Sequence, residues 1–191
     1  MRQFKKFLHC LALPFVGIAL GIQLSSAKRK LKKYHQNPSS ISIDDRYLYA
    51  YKAIKKILYI KGVNNYVTSG FLRNAPRTPA LYVANHKSNL DPLFLFKSLY
   101  ECGKIPYFRF IAKKEADKKT SSLSAIMKLV DTIFIDRSDV RAVYKLFTSE
   151  IFGSVDKRSI VVFIEGTRHH EPDKLGPFHA GTLEISYKNF L

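Results

Sequence analysis

Ala80-Leu81-Tyr82-Val83-Ala84-Asn85-His86-Lys87-Ser88-Asn89-Leu90-Asp91-Pro92 is the stretch on which the fold of this chain turns. The apolar run Ala80 to Ala84 reads as a buried strand, the polar residues after it as a turn, and Pro92 with Leu93 to Phe96 as the start of a helix. In an α/β fold such a turn lies at the carboxyl end of a strand, where ligands usually bind. Histidine is the side chain best suited to general-base work near neutral pH. Asp91, one tight turn after His86, can hold the imidazole in one tautomer and stabilise its cation. A plainer reading stands beside this one. Asp91 before Pro92 is also a good helix N-cap, which would leave His86 as a surface turn residue.

From Gly62 onward the whole chain reads as α/β. Strands are expected at Leu58 to Gly62, Ala80 to Ala84, Tyr107 to Ala112, Thr132 to Ile135 and Ile160 to Ile164. Helices are expected at Pro92 to Cys102, Ser121 to Val130, Val140 to Phe152 and Gly181 to Lys188. Val140, Val143, Phe147 and Ile151 recur at helical spacing.

Two of these strands end in polar turns of their own. Thr132-Ile133-Phe134-Ile135 runs into Asp136-Arg137, and Ile160 to Ile164 runs into Glu165-Gly166-Thr167-Arg168. With the His86 segment they resemble the blocks of the PlsC-like glycerolipid acyltransferases: Asn-His-x-x-x-x-Asp, Gly-x-Ile-x-Ile-Asp-Arg and Phe-Pro-Glu-Gly-Thr-Arg. The likeness covers residues 78 to 185, and the order and spacing of three blocks make it specific. Asp131 stands where the second block has Gly, Ile164 where the third has Pro, and His179 where the family has a basic residue. The family continues past the point matched by Leu191, so a C-terminally truncated domain is expected. The absence of Trp fits a genetic code that reads a stop codon as Trp.

The resemblance implies a central mixed sheet flanked by helices. It also implies transfer of a fatty acyl group to the free hydroxyl of 1-acyl-sn-glycerol-3-phosphate, giving phosphatidate. The alternatives are another lysolipid as acceptor, or a basic membrane- or nucleic-acid-binding protein without chemistry. His86 would remove the hydroxyl proton with Asp91 supporting it, so no serine or cysteine nucleophile is needed. Arg137 and Arg168 would grip the acceptor phosphate. Gly166 would allow close backbone approach, Thr167 would add a hydroxyl donor, and Glu165 would orient Arg168 or the glycerol hydroxyls. Lys113 is a candidate contact for the donor or the oxyanion. The donor would be acyl-CoA, an acylated acyl carrier protein or an acyl-phosphate. No metal or redox cofactor is implied.

Charge points the same way. Against 15 Asp and Glu stand 32 Lys and Arg, a net +17, which calls for an anionic partner. Nucleic acid and an anionic membrane surface both qualify. No zinc spacing, helix-turn-helix signal or aromatic RNP-type strand supports specific nucleic-acid binding. His169-His170 reads as a solvated turn, since no third ligand is spaced nearby. Cys10 and Cys102 form neither a disulfide framework nor a metal site.

The apolar run Phe7 to Leu24 is flanked by Arg2, Lys5 and Lys6 and by the basic cluster Lys28 to Lys33. A cleaved signal peptide, a spanning helix of minimal length and a segment lying on the cytoplasmic leaflet all compete. Positive charge on both flanks favours the last, at the cytoplasmic face of the cell membrane. After the break at Asn37-Pro38-Ser39-Ser40, Tyr47, Leu48, Tyr51, Ile54, Ile57 and Leu58 mark an amphipathic helix, packed on the domain core or laid on the membrane beside the first. Residues 1–61 are therefore expected to form a membrane-associated helical segment, and 62–191 the acyltransferase domain.

Overall fold

The computed structural model describes residues 2–63, 78–103, 107–118, 121–151, 158–168, 171, 174–179, 181 and 183–184, with side chains of 2–12 and 150–151 left out. Among these residues the chain is α/β. Helix α1 (Arg2–Gln36) and helix α2 (Ile43–Ile60) come first. Then follow β1 (Leu81–Ala84), α3 (Asp91–Cys102), β2 (Phe108–Lys113), α4 (Ser122–Leu129), β3 (Ile133–Ile135), α5 (Val140–Lys145) and β4 (Ser159–Phe163).

The sheet has the order β1-β4-β2-β3. Every pairing among the described strands is parallel, a narrower arrangement than the mixed sheet expected. The inner strand β4 is Ser-Ile-Val-Val-Phe and is buried along nearly its whole length, as a strand covered on both faces must be. Parallel strands end on one edge. The turns after β1, β2, β3 and β4 therefore gather there, although up to 80 residues of chain separate them.

The expected strand at Leu58 to Gly62 is instead the end of α2. Ala50, Ile54 and Leu58 recur every fourth residue and bury one continuous face, so packing outweighs the local β-rich composition. Ser42 caps this helix by accepting the Asp45 N–H at 3.1 Å. Its apolar face joins Tyr47, Phe96, Leu99, Phe108 and Phe110 in the main core. Of the two arrangements left open for α2, packing on the core is the one found.

Helix α1 runs unbroken through Pro14 and ends just before Asn37, whose side chain accepts the Ser39 N–H at 3.0 Å and caps a short 3-10 turn. Ala27, Leu24 and Leu31 face the core, while Phe15, Ile18 and Ile22 point outward at 64–75 % exposure. No described helix is long and apolar enough to cross a membrane. The helix expected from Val140 to Phe152 begins as α5 and continues as a π-helical stretch, Leu146–Ile151, with Phe147 buried. The helix expected at Gly181 to Lys188 and the pair His169-His170 lie largely or wholly outside the described residues.

Candidate active site

The turn after β1 is built around one carboxylate. Asp91 Oδ2 accepts the backbone N–H groups of Lys87 and Ser88, each at 2.6 Å, and lies 3.0 Å from His86 Nδ1. Asp91 is the first residue of α3, and its side chain turns back into the loop. The N-cap position is Leu90, which makes no side-chain cap. The plain N-cap reading of Asp91 therefore does not hold. Because the carboxylate accepts, the Nδ1 atom carries the imidazole proton, which leaves Nε2 as the acceptor. The ring is stacked on Phe163 at a centroid distance of 4.4 Å. Its tautomer and its plane are thus both held.

Glu165, in the turn after β4, is 1 % exposed. A carboxylate so buried must be matched by donors. Its Oε1 accepts the His86 backbone N–H at 3.2 Å, and its Oε2 accepts the Gly176 N–H at 3.1 Å. The role expected for it, orienting Arg168 or glycerol hydroxyls, differs from these contacts. Glu165 fastens the β1 turn and the 174–179 segment to the end of β4. Lys87 supports the same closure, donating Nζ–H to the carbonyls of Glu171 (2.8 Å) and Lys174.

Arg137, after β3, is exposed and donates to the Gly166 carbonyl. An ordinary surface pairing with Asp136 or Asp139 is not what the structure shows. Asp136 accepts the Ser138 backbone N–H at 3.0 Å and its hydroxyl at 2.5 Å, with Lys114 at 3.6 Å, and Asp139 caps α5 through the Ala142 N–H. The Ser138 hydrogen bonds hold the Asp136 carboxyl below its ordinary pKa. Gly166 has φ +67°, and a Cβ there would stand 2.8 Å from the His179 ring and 3.3 Å from Arg137 Nη1. Glycine is required on both counts. Thr167 and Arg168 follow, both exposed. Lys113 ends β2 on the same sheet edge and is also exposed.

The structure thus brings His86, Asp91, Glu165, Gly166 and Arg137 into one connected constellation, with Thr167, Arg168 and Lys113 at its rim. Sequence reasoning did not find Phe163, Gly176 or the place of His179. The last signal was available, since a histidine at a basic position of the family pattern marks a residue worth placing.

The chain's residues 67–189 match the family model described as Acyltransferase. It is 33% identical over 186 residues to a protein of Mycoplasma genitalium named probable 1-acyl-sn-glycerol-3-phosphate acyltransferase. The counterpart of the same name in Mycoplasma pneumoniae is 34% identical over the same length. Each alignment covers 97% of this chain and 68% of the relative. No solved structure matches it. A family model covering most of the domain, and relatives aligned along nearly the entire chain, agree with the three blocks on one sheet edge: this chain belongs to the acyltransferase family.

Proposed function

We propose that this protein moves a fatty acyl group from an acyl thioester or acyl-phosphate to the free hydroxyl of 1-acyl-sn-glycerol-3-phosphate, forming phosphatidate. The observation that carries the reading is the His86–Asp91 pair. Asp91 is pinned by two amides and fixes the imidazole so that Nε2 is free to accept a proton. In the reaction the acceptor hydroxyl gives its proton to Nε2 as its oxygen attacks the acyl carbonyl. The tetrahedral oxyanion then collapses. A thiolate leaves and takes the proton back from the imidazolium as a thiol, or phosphate leaves as an anion and the imidazolium gives its proton to solvent. Asp91 stabilises the imidazolium formed in between. Stacking on Phe163 keeps one face of that imidazole away from water.

Arg137 and Arg168 are the cations for the acceptor phosphate. Their exposure suits groups waiting for a ligand rather than for each other. The names of the Mycoplasma proteins support lysophosphatidate as the acceptor. Attachment to the cytoplasmic leaflet is supported by α1, whose outward Phe15, Ile18 and Ile22 precede the cations Lys28 to Lys33.

The test compares lysophosphatidate with monoacylglycerol as acceptor, using each donor class in turn. Lysophosphatidate is expected to be strongly preferred. Arg137→Ala and Arg168→Ala should each raise its KM by roughly tenfold, a modest charge-assisted contact at an exposed site. Equal turnover of both acceptors would remove the phosphate from the recognition scheme.

A further inference from the structure

The segment that closes over the β4 turn carries a side chain with no part in the mechanism above. His179 donates its backbone N–H to the Ile164 carbonyl at 3.0 Å, which fixes it beside the turn. Its Nε2 lies 3.2 Å from the point where a Cβ on Gly166 would stand, and Arg137 Nη1 lies 3.3 Å from that same point. Two nitrogen groups on unrelated segments therefore flank one bare backbone position. Both side chains are exposed, so a ligand can reach them from solvent.

The neighbouring charges are largely committed elsewhere. Glu165 accepts two amides, Asp136 is held by Ser138 and Lys114, and Asp139 caps α5. On the remaining side Lys87 donates to carbonyls, Lys174 pairs with Glu171 at 2.8 Å, and His86 is held by Asp91. Arg168 follows the turn and adds positive charge.

We propose that His179 forms a titratable wall of the anion seat at Gly166, so that a phosphate monoester binds more tightly when the imidazole is protonated. The inference rests on the acceptor reading given above and adds a pH dependence to it. A guanidinium such as that of an arginine does not lose its charge in the working pH range. An imidazole ordinarily ionises near 6.5, and protonation adds both a charge and a second N–H donor. A phosphate monoester loses its second proton at about pH 6, so ligand and protein titrate in overlapping windows. The ratio of variant to wild-type affinity at each pH compares the two proteins on the same ligand in the same ionisation state.

The full chain in non-ionic detergent is titrated calorimetrically with short-chain lysophosphatidate, and with monoacylglycerol as the phosphate-free control, at pH 5.5 and pH 8.5, as wild type, His179→Gln and His179→Lys. At pH 5.5 the wild type should bind about fivefold to tenfold more tightly than His179→Gln, the size of one charge-assisted contact open to solvent. At pH 8.5 the two should converge, while His179→Lys binds more tightly than the wild type. A wild-type to His179→Gln ratio that is the same at both pH values overturns the inference and leaves the acceptor reading standing. A wild type that binds lysophosphatidate no better than monoacylglycerol at either pH overturns the acceptor reading, and the inference falls with it.

Discussion

Two clusters of charge sit at opposite ends of β3, and they are built on opposite plans. Before the strand, Asp131 receives Arg46 Nη1 on both oxygens at 2.9 Å and Arg158 Nη1 at 2.6 Å, with the Tyr34 hydroxyl at 3.4 Å. Arg46 also stacks over the Tyr34 ring, 4.2 Å from its centroid, and gives a further hydrogen bond to the Leu129 carbonyl. The groups here are drawn from α1, α2 and two loops, and one carboxylate is shared by two guanidiniums. Beyond the strand, Arg137 gives a hydrogen bond to a carbonyl, Arg168 stands exposed, and His86 keeps Nε2 open. Both clusters would score alike as acid–base groupings in a sequence. The difference is whether the partners are already inside the molecule. Matched charge holds structure together, and unmatched charge waits for a ligand.

The sharpest way to break this contrast is at His86. His86→Ala should lower acyl transfer by about 10² to 10⁴, the usual loss for a general base, while leaving the unfolding midpoint nearly unchanged. Turnover close to wild type would take His86 out of the chemistry. A large fall in stability would instead move it to the structural side of the comparison.

Asp131 should behave in the opposite sense. Asp131→Ala leaves two arginines without their carboxylate and is expected to cost on the order of 3–5 kcal/mol in stability, measured by urea unfolding. Asp131 also has φ +53°, a conformation that side chains rarely adopt. Asp131→Gly should therefore lose less than the alanine variant, by roughly 1 kcal/mol. If the two substitutions cost the same, the backbone at this position is not strained.

The smallest of the three effects comes from Tyr47, beside the Asp131 cluster. Burial pushes its phenol from 10.0 up to about 12, with Arg158 pulling the other way. The folded state holds this proton more tightly than the unfolded one. Its contribution is complete below pH 10 and is lost as the pH rises from 10 to 12, on the order of 2–3 kcal/mol. Tyr47→Phe should flatten the alkaline limb of a stability–pH curve. It also deletes the hydrogen bond to the Phe108 carbonyl at 2.5 Å, which lowers the plateau. An unchanged alkaline limb would assign the loss to other groups.

What the sequence made legible was local. The strands Ala80 to Ala84 and Ile160 to Ile164 stand out because apolar runs are bounded by polar turns, and the His86–Asp91 spacing works across one tight turn. Long-range facts were not legible. The last turn of α2 looks like a strand until Leu58 is seen stacked below Ile54 and Ala50. Nothing near Glu165 in the chain announces that its oxygens face His86, 79 residues away, and Gly176. Asp131 shows only as a departure from a glycine position. Its reason lies 85 residues upstream in Arg46.

That departure has an evolutionary consequence. Aspartate and glycine codons differ by a single base, so the family's usual residue is always one mutation away. Taking that step relaxes the backbone but strands the guanidiniums of Arg46 and Arg158, the first only 6 % exposed. The reverse step has the mirror problem, since a new aspartate strains the turn unless both arginines are already present. Three positions in separate elements are thereby locked to one another. A lineage holding Asp131 is expected to keep all three or to change them together.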